Sequence, residues 1–356
     1  MSDLSVRLID DRERDYWDSN VKKLPNCHPL NAYGWSKIRE IDSWHANYLI
    51  AEKNNRIIAG LPLLEKRIPF SGLCIFYAPR GPIWDSGYPE AIKAMMKSVR
   101  SIARQRHAIF LRVDPSIAET DMERKSELEN LGFRHLVQRW TFWNTPRDVY
   151  RINLEKFNSY DEYFNQLHRD VRRCIRKSEK DGVSVRIAQD RLDLDKFYNL
   201  FREFSIGKGF MARGLEYQRK LWDEYIKAEN GRLFLAVHED KIIGGLICIA
   251  FGDKCLAMHM GTLFAFRRMH TNYAYISQSI KWAIEKGCKW YSFRGVGTTP
   301  TQEQFKRKFK PKATALLGYF DLIFLPAIYK IFYFMEFTFL PMAWPVLIKV
   351  RKRLFS

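Results

Sequence analysis

The chain repeats itself. YLIAEKNNRIIAGLPLL, from Tyr48 to Leu64, aligns with LFLAVHEDKIIGGLICI, from Leu233 to Ile249, at an offset of 185 residues. Ala51 matches Ala236, Ile57 and Ile58 match Ile242 and Ile243, and Gly60 and Leu61 match Gly245 and Leu246. Each copy reads as an apolar run, a polar turn containing Asn or Asp, and a second β-branched run, which is the pattern of a hairpin. A duplicated domain is the simplest account, and 356 residues suffice for two cores of ordinary size.

Both copies continue alike. Ile92, Met95, Met96, Val99 and Ile102 stand at helical spacing between Pro89 and Arg106, ahead of the strand AIFLRV and Asp114. Tyr275, Ile276, Ile280, Trp282 and Ile284 do the same ahead of Gly287, a suitable helix C-cap, and of KWYSFRGV. Hairpin, helix and strand in that order describe an α/β domain, a mixed sheet flanked by helices. NTPRD, at Asn144 to Asp148, breaks the apolar run before the new strand VYRINL. The expected division is residues 1–147, residues 148–312, and an apolar and basic C-terminal extension over 313–356.

Composition excludes several classes of function. A content of 46% hydrophobic and 28% charged residues is that of a folded protein, and the net charge of +19 draws polyanions such as RNA, diphosphate lipids and anionic membranes. A basic surface that serves solubility alone is the alternative. Cys27, Cys74, Cys174, Cys248, Cys255 and Cys288 form no CxxC pair, so neither a zinc site nor a disulfide framework is expected, and no metal is. The N-terminus is charged and lacks an apolar signal core, which predicts a cytoplasmic protein. No GxSxG, HExxH or Cys/His nucleophile pattern is present. RRMHTNYAY, from Arg267 to Tyr275, has no glycine with which to open a pyrophosphate-binding helix, and GVGTTP lacks the third glycine of a dinucleotide fingerprint. No cofactor is expected.

Four motifs, in order, carry a resemblance: YAPRGPIWD at Tyr77, RDVRRCIRKSEKDGVSV at Arg169, KWYSFRGVG at Lys289 and QFKRKFKPK at Gln304. They cover nearly the whole chain and resemble the FemABX family of peptidoglycan bridge-forming enzymes, whose fold is a tandem of GCN5-related N-acyltransferase (GNAT)-like domains. The resemblance implies transfer of an amino acid from aminoacyl-tRNA to an amine of a lipid-linked or nucleotide-linked muropeptide. Lys208, before Gly209 and Phe210, stands where the family commonly has Arg, and the coiled-coil arm of some members is absent between Tyr217 and Leu233.

Aminolysis of an ester is already favourable, so the protein must mainly hold the amine against the carbonyl and stabilise the developing oxyanion. Phe305 and Phe309, four residues apart, anchor one helical face and direct Lys306 away from it. By resemblance Lys306 is the catalytic charge stabiliser; the alternative is a solvated basic face. Lys37, Tyr77, Arg80, Lys208, Arg213, Tyr217 and His259 are expected to bind substrate, with Lys37, Arg80 and Lys306 along one cleft. Arg80 is fixed in a rigid turn by Pro79, Gly81 and Pro82, suited to a carboxylate or diphosphate unless it pairs with an acid of the protein. His259, between Met258 and Met260, is otherwise a core histidine. Ser159 and Glu162 make a capping box for a helix carrying Arg169, Arg172, Arg173, Arg176 and Lys177, which suit RNA phosphates or a solvated face.

After Glu336 the uncharged stretch FTFLPMAWPVLI has 12 residues and two prolines, too short for the roughly 20 residues that span a bilayer. With Phe332, Tyr333, Phe334, Phe337, Phe339 and Trp344 ahead of Lys349, Arg351, Lys352 and Arg353, the extension resembles a segment lying at the inner membrane surface. Packing over the second domain is the other reading. Two further functions compete: an acyl-CoA-dependent N-acyltransferase acting on an envelope sugar or lipid, which the missing glycine loop disfavours, and a non-enzymatic module that binds RNA or anionic lipid.

Overall fold

The computed structural model describes residues 4–137, 145–208, 210, 212–297 and 299–342. The described chain carries the strands β1 (Leu4–Ile9), β2 (His45–Lys53), β3 (Arg56–Arg67), β4 (Cys74–Ala78), β5 (Ile83–Trp84), β6 (Ala108–Val113), β7 (Phe133–His135) and β8 (Asp148–Asn153). It continues with β9 (Ser184–Ile187), β10 (Gly231–His238), β11 (Lys241–Phe251), β12 (Lys254–Thr262), β13 (Trp290–Gly295), β14 (Lys312–Ala315) and β15 (Phe320–Ile323). Two compact units result. The first contains Met1–Asp11, Trp44–Arg147 and Leu317–Ser356; the second contains Arg12–Ser43 and Asp148–Leu316.

Each unit is built on one mixed sheet. The order is β1-β2-β3-β4-β6-β15-β7 in the first, with β5 paired to β3, and β14-β8-β13-β12-β11-β10-β9 in the second. The repeat read from sequence is reproduced pair by pair. Ala51 pairs with Ala59 and Ala236 with Gly244, and in both hairpins the register shifts at the next residue, at Ala51/Glu52 and at Ala236/Val237. Asn54 and Asn55 turn the first hairpin with φ of 52° and 58°, and Glu239 and Asp240 turn the second with φ of 48° and 60°. Two consecutive left-handed residues are what a tight hairpin turn with matching twist requires.

A helix covers each sheet by the face that its spacing predicts. Ile92, Met95, Met96 and Val99 of the helix Pro89–Arg106 are buried against the first sheet. Tyr275, Ile276, Ile280 and Ala283 of the helix Thr271–Glu285 are buried against the second. In both units this helix links two parallel neighbouring strands, β4 to β6 and β12 to β13.

The change of unit at Arg147/Asp148 coincides with the expected break, but neither unit is one contiguous stretch. Residues 12–43, expected in the first domain, fold with the second. Trp17 is fully buried there and donates its indole N–H to Asn31 O at 2.8 Å, and Tyr225 donates its hydroxyl to Pro29 O at 2.6 Å. Gly252, at φ +59°, sits so near Lys22 O that a Cβ would lie 2.6 Å from it. The expected extension over 313–356 is also divided. β14 is an edge strand of the second sheet, whereas β15 runs between β6 and β7 of the first, antiparallel to both. Of the extension, Trp344, Lys349, Arg351, Lys352 and Arg353 lie outside the described residues, as does Asn144 at the expected boundary.

Candidate active site

In the second unit the parallel pair β12 and β13 opens at one end. The two strands pair only through Lys254–Trp290, Cys255–Tyr291 and Leu256–Ser292. Beyond that β12 runs on to Thr262 beside β11, and β13 continues through Phe293, Arg294 and Gly295. Backbone carbonyls freed from a ladder need other donors. Lys306 supplies them: its Nζ donates to Gly295 O at 2.6 Å and to Phe293 O at 3.3 Å.

The local sequence explains how Lys306 reaches that position. Thr299 caps the helix Pro300–Arg307 by accepting from Gln302 N, and Pro300 opens its first turn. Phe309 is fully buried and Phe305 half-buried, both packed on Tyr273 at ring separations of 5.7 and 5.1 Å, so the lysine between them turns toward the strand end. Burial, with the Arg294 guanidinium nearby, brings the Lys306 ammonium down to about 8. Two of its three N–H groups are committed to carbonyls, which leaves one for a ligand.

Arg294 is the residue that sequence reasoning passed over. It holds φ of 68°, a left-handed conformation unusual for a non-glycine residue, between the two carbonyls that bind Lys306. Its charge bears on Lys306, His259 and Tyr217 alike. KWYSFRGVG was recognisable as a motif, but nothing in its composition marks the arginine as the link.

Three expected residues come together here. Tyr217, buried on the helix Leu215–Leu221, lies 6.0 Å from the His259 ring and edge-on to Trp35 at 6.5 Å. The Arg213 guanidinium covers the Tyr217 ring at 4.9 Å and pairs with Asp42 at 2.6 Å. His259 Nδ1 lies 3.0 Å from Gln218 Oε1 and its ring stacks on Phe201 at 5.3 Å. Burial, then the Arg294 and Arg213 charges, push this imidazole down to about 3, so it is neutral at physiological pH. Burial raises Tyr217, which stays a phenol.

Lys37, placed by sequence in the first domain, belongs to this second unit. It lies on the helix Tyr33–Arg39, pairs with Glu40 at 3.2 Å and sits 5.8 Å from the Tyr33 ring. Lys208 is exposed at the end of the helix Arg191–Gly207, its ammonium 6.0 Å from the Phe204 ring, a placement favoured by the helix dipole. The single helix expected from Ser159 is two, since Leu167 is extended: Ser159 caps Tyr160–Gln166, and His168 caps Arg169–Lys180, which buries Val171 and Ile175 and exposes Arg169, Arg173, Arg176 and Lys177, with Arg172 half-buried. Arg173 pairs with Asp170, Lys177 with Asp181, and Arg176 covers the Phe164 ring.

Tyr77 and Arg80 belong to the first unit, and its interior takes them up. Arg80 is 3% exposed; its guanidinium donates to Pro146 O at 2.8 Å and lies 3.7 Å from Asp114, which also accepts from the Arg80 backbone N–H at 2.7 Å. The Tyr77 hydroxyl donates to Asp114 at 3.2 Å. Instead of offering a diphosphate ligand, this arginine closes a turn at φ 55° against a buried acid. Burial raises that acid to about 6, with the Arg80 charge opposing the rise.

Among the described residues no cluster of histidine, cysteine and acidic side chains is arranged to hold a metal. No helix of the described residues is long and apolar enough to cross a membrane.

Comparison with known proteins converges on one family. The FemAB family profile matches residues 13–239 and 236–336. The UDP-N-acetylmuramoylpentapeptide-lysine N(6)-alanyltransferase of Weissella viridescens is 21% identical over 91% of this chain and 97% of its own length. The lipid II:glycine glycyltransferase of Staphylococcus aureus (strain MRSA252) is 25% identical over 63% of this chain, which spans about half (53%) of that relative. The crystal structure of FemX superposes with a TM-score of 0.83 at 19% identity, over 92% of this chain and 99% of that one. A tandem GNAT protein of clavulanic acid biosynthesis gives 0.53 at 11% identity, over 90% and 98%, in line with the tandem GNAT-like fold. The chain belongs to the FemAB family and is an acyltransferase.

Proposed function

We propose that the protein joins an amino acid, carried as the ester of an aminoacyl-tRNA, to an amine of a lipid-linked or nucleotide-linked muropeptide. The observation that carries this reading is the Lys306 ammonium, held by Phe293 O and Gly295 O at an opened strand end with one N–H to spare. The names of the two relatives, an alanyltransferase to a muropeptide lysine and a glycyltransferase on lipid II, support the class of acceptor.

The chemistry follows from the charges. The acceptor nitrogen attacks the ester carbonyl, and the carbonyl oxygen becomes an anion that the remaining Lys306 N–H stabilises. The C–O bond to the tRNA ribose breaks, the ribose oxygen takes up the proton that the amine loses, and an amide remains. Cations beside the amine favour its unprotonated, nucleophilic form, and Lys306, Arg294 and Arg213 provide them. Tyr217, neutral His259, Arg213 and Lys37 bind the acceptor in this scheme, with Lys208 at its margin. Arg169, Arg172, Arg173, Arg176 and Lys177 meet tRNA phosphates, contacts that position without reading sequence.

The test offers the protein three mixtures: aminoacyl-tRNA with muropeptide, acetyl-CoA with muropeptide, and aminoacyl-tRNA alone. The expected result is loss of the tRNA ester only when acceptor is present. Consumption of acetyl-CoA in its place would replace this reading with a CoA-dependent one.

A further inference from the structure

The last helix of the described residues has two faces, and among those residues one of them is buried by the fold. It runs over Pro326–Phe334 and continues as a π-helical turn, Met335–Phe339. One face is pinned to the first unit. Tyr329, 3% exposed, donates its hydroxyl to Asp321 at 2.8 Å, and Glu336, also 3% exposed, accepts two bonds from Arg112 at 2.6 and 2.8 Å. Phe332 packs on Phe110 at 4.9 Å. This segment is part of the fold, anchored through Arg112, which pairs with Glu336 and also with Asp321, all three buried.

The other face is apolar and, among the described residues, exposed. Ile331 is 66% exposed, Phe334 56%, Met335 41%, Phe339 49% and Met342 75%. Their spacing of three and four residues makes one stripe along the helix. A contiguous row of large apolar side chains on a charged protein marks an interaction surface. The surrounding charge selects the partner. Lys330 flanks the stripe, and the sequence beyond it continues with Lys349, Arg351, Lys352 and Arg353. Immediately before the helix, Ile323, Phe324 and Leu325 share a cavity of about 440 Å³ with Arg100, Arg104 and His107, and no acidic residue lines it.

We propose that this stripe lies in the headgroup region of an anionic bilayer, its apolar side chains among the acyl ends and its basic neighbours on the lipid phosphates. The inference deepens the proposed function and rests on it in one respect: a lipid-linked acceptor is presented at such a surface. Attachment by a stripe on a folded helix is reversible, as one apolar face contributes far less than a spanning segment.

The experiment uses the full chain and vesicles of phosphatidylcholine, with and without phosphatidylglycerol. Wild type floats with the anionic vesicles, less so at high salt, and the double variant Phe334→Gln/Phe339→Gln loses roughly tenfold or more of that partition. Its thermal midpoint and its transfer to a nucleotide-linked acceptor stay at wild-type values, while transfer to a vesicle-borne acceptor falls. Equal flotation of wild type and variant, equal binding to neutral vesicles, or a dimer that the variant dissociates with no vesicle binding would each overturn the membrane assignment. Flotation without transfer to either acceptor would instead overturn the proposed function and leave this surface standing.

Discussion

The two units carry the same parallel strand pair and finish it in opposite ways. Tyr77 pairs with Leu64 and with Arg112 in the first unit, and Leu256 pairs with Ile249 and with Ser292 in the second, so the hairpin offset of 185 residues puts Arg112 and Ser292 at matching places. Two residues further stand Asp114 and Arg294. In the first unit the pairing runs to Ala78–Val113, and each buried arginine there meets an acid: Arg80 has Asp114, and Arg112 has Asp321 and Glu336. In the second the ladder stops at Leu256–Ser292, and Arg294 and Lys306 share the opening with neutral His259. The fold of the first unit takes up Arg80 and Arg112 with its own acids, and in the proposed function Lys306 of the second meets a ligand.

The largest expected effect breaks the first half of that comparison. Arg112 is fully buried, with two bonds to Asp321 at 2.7 and 2.8 Å and two to Glu336. Arg112→Ala strands two buried carboxylates and is expected to lose about 3–5 kcal/mol of stability in urea unfolding. A loss below about 1 kcal/mol would show that the cluster is not the lock described.

Next comes Lys306→Met, which should change both activity and the pH dependence of stability. Removing one oxyanion donor lowers kcat by roughly 10²–10³-fold with little change in KM. The same change takes the donor from Phe293 O and Gly295 O while it removes a buried charge, so the titration fixes the pH dependence of the stability difference. A lysine whose folded pKa lies near 8, below its ordinary 10.5, is disfavoured in its charged form by folding. That cost is complete below about pH 8 and fades as pH rises toward 10.5, so wild type should gain on the variant over the same window. A variant that is fully active, with a stability difference that does not change over that window, would remove Lys306 from the site.

The smallest effect is expected at Arg294. Arg294→Gln removes a neighbouring positive charge, so Lys306 should titrate higher, and the alkaline limb of kcat should move up by less than about one pH unit. Unmoved limbs would mean that the two cations do not sense each other.

Much of this arrangement was legible in the chain because it is local. The hairpins follow from alternation and paired turn residues, and the direction of the Lys306 side chain, though not its role, from Phe305 and Phe309 four residues apart. What was not legible depends on partners distant in sequence. β15 has four residues, and its place beside β6 is fixed by a buried pair, Arg112–Asp321, separated by 209 positions. Residues 12–43 carry no composition that assigns them to the second unit; burial of Trp17 and the Tyr225–Pro29 bond do so. Arg80 read as a ligand because its turn is rigid, yet an acid 34 residues away and Pro146 O take up its guanidinium. The left-handed angle of Arg294 and the ended ladder beside it are likewise not encoded in composition.

The central claim, that an unneutralised Lys306 ammonium does the chemistry, is tested most directly by single-turnover transfer as a function of pH in wild type and in Lys306→Arg. In wild type the rate should fall as pH rises through about 8, where the ammonium loses its proton. In the variant, whose guanidinium stays charged, the activity that remains should persist to higher pH. Identical alkaline limbs in the two proteins would contradict the claim.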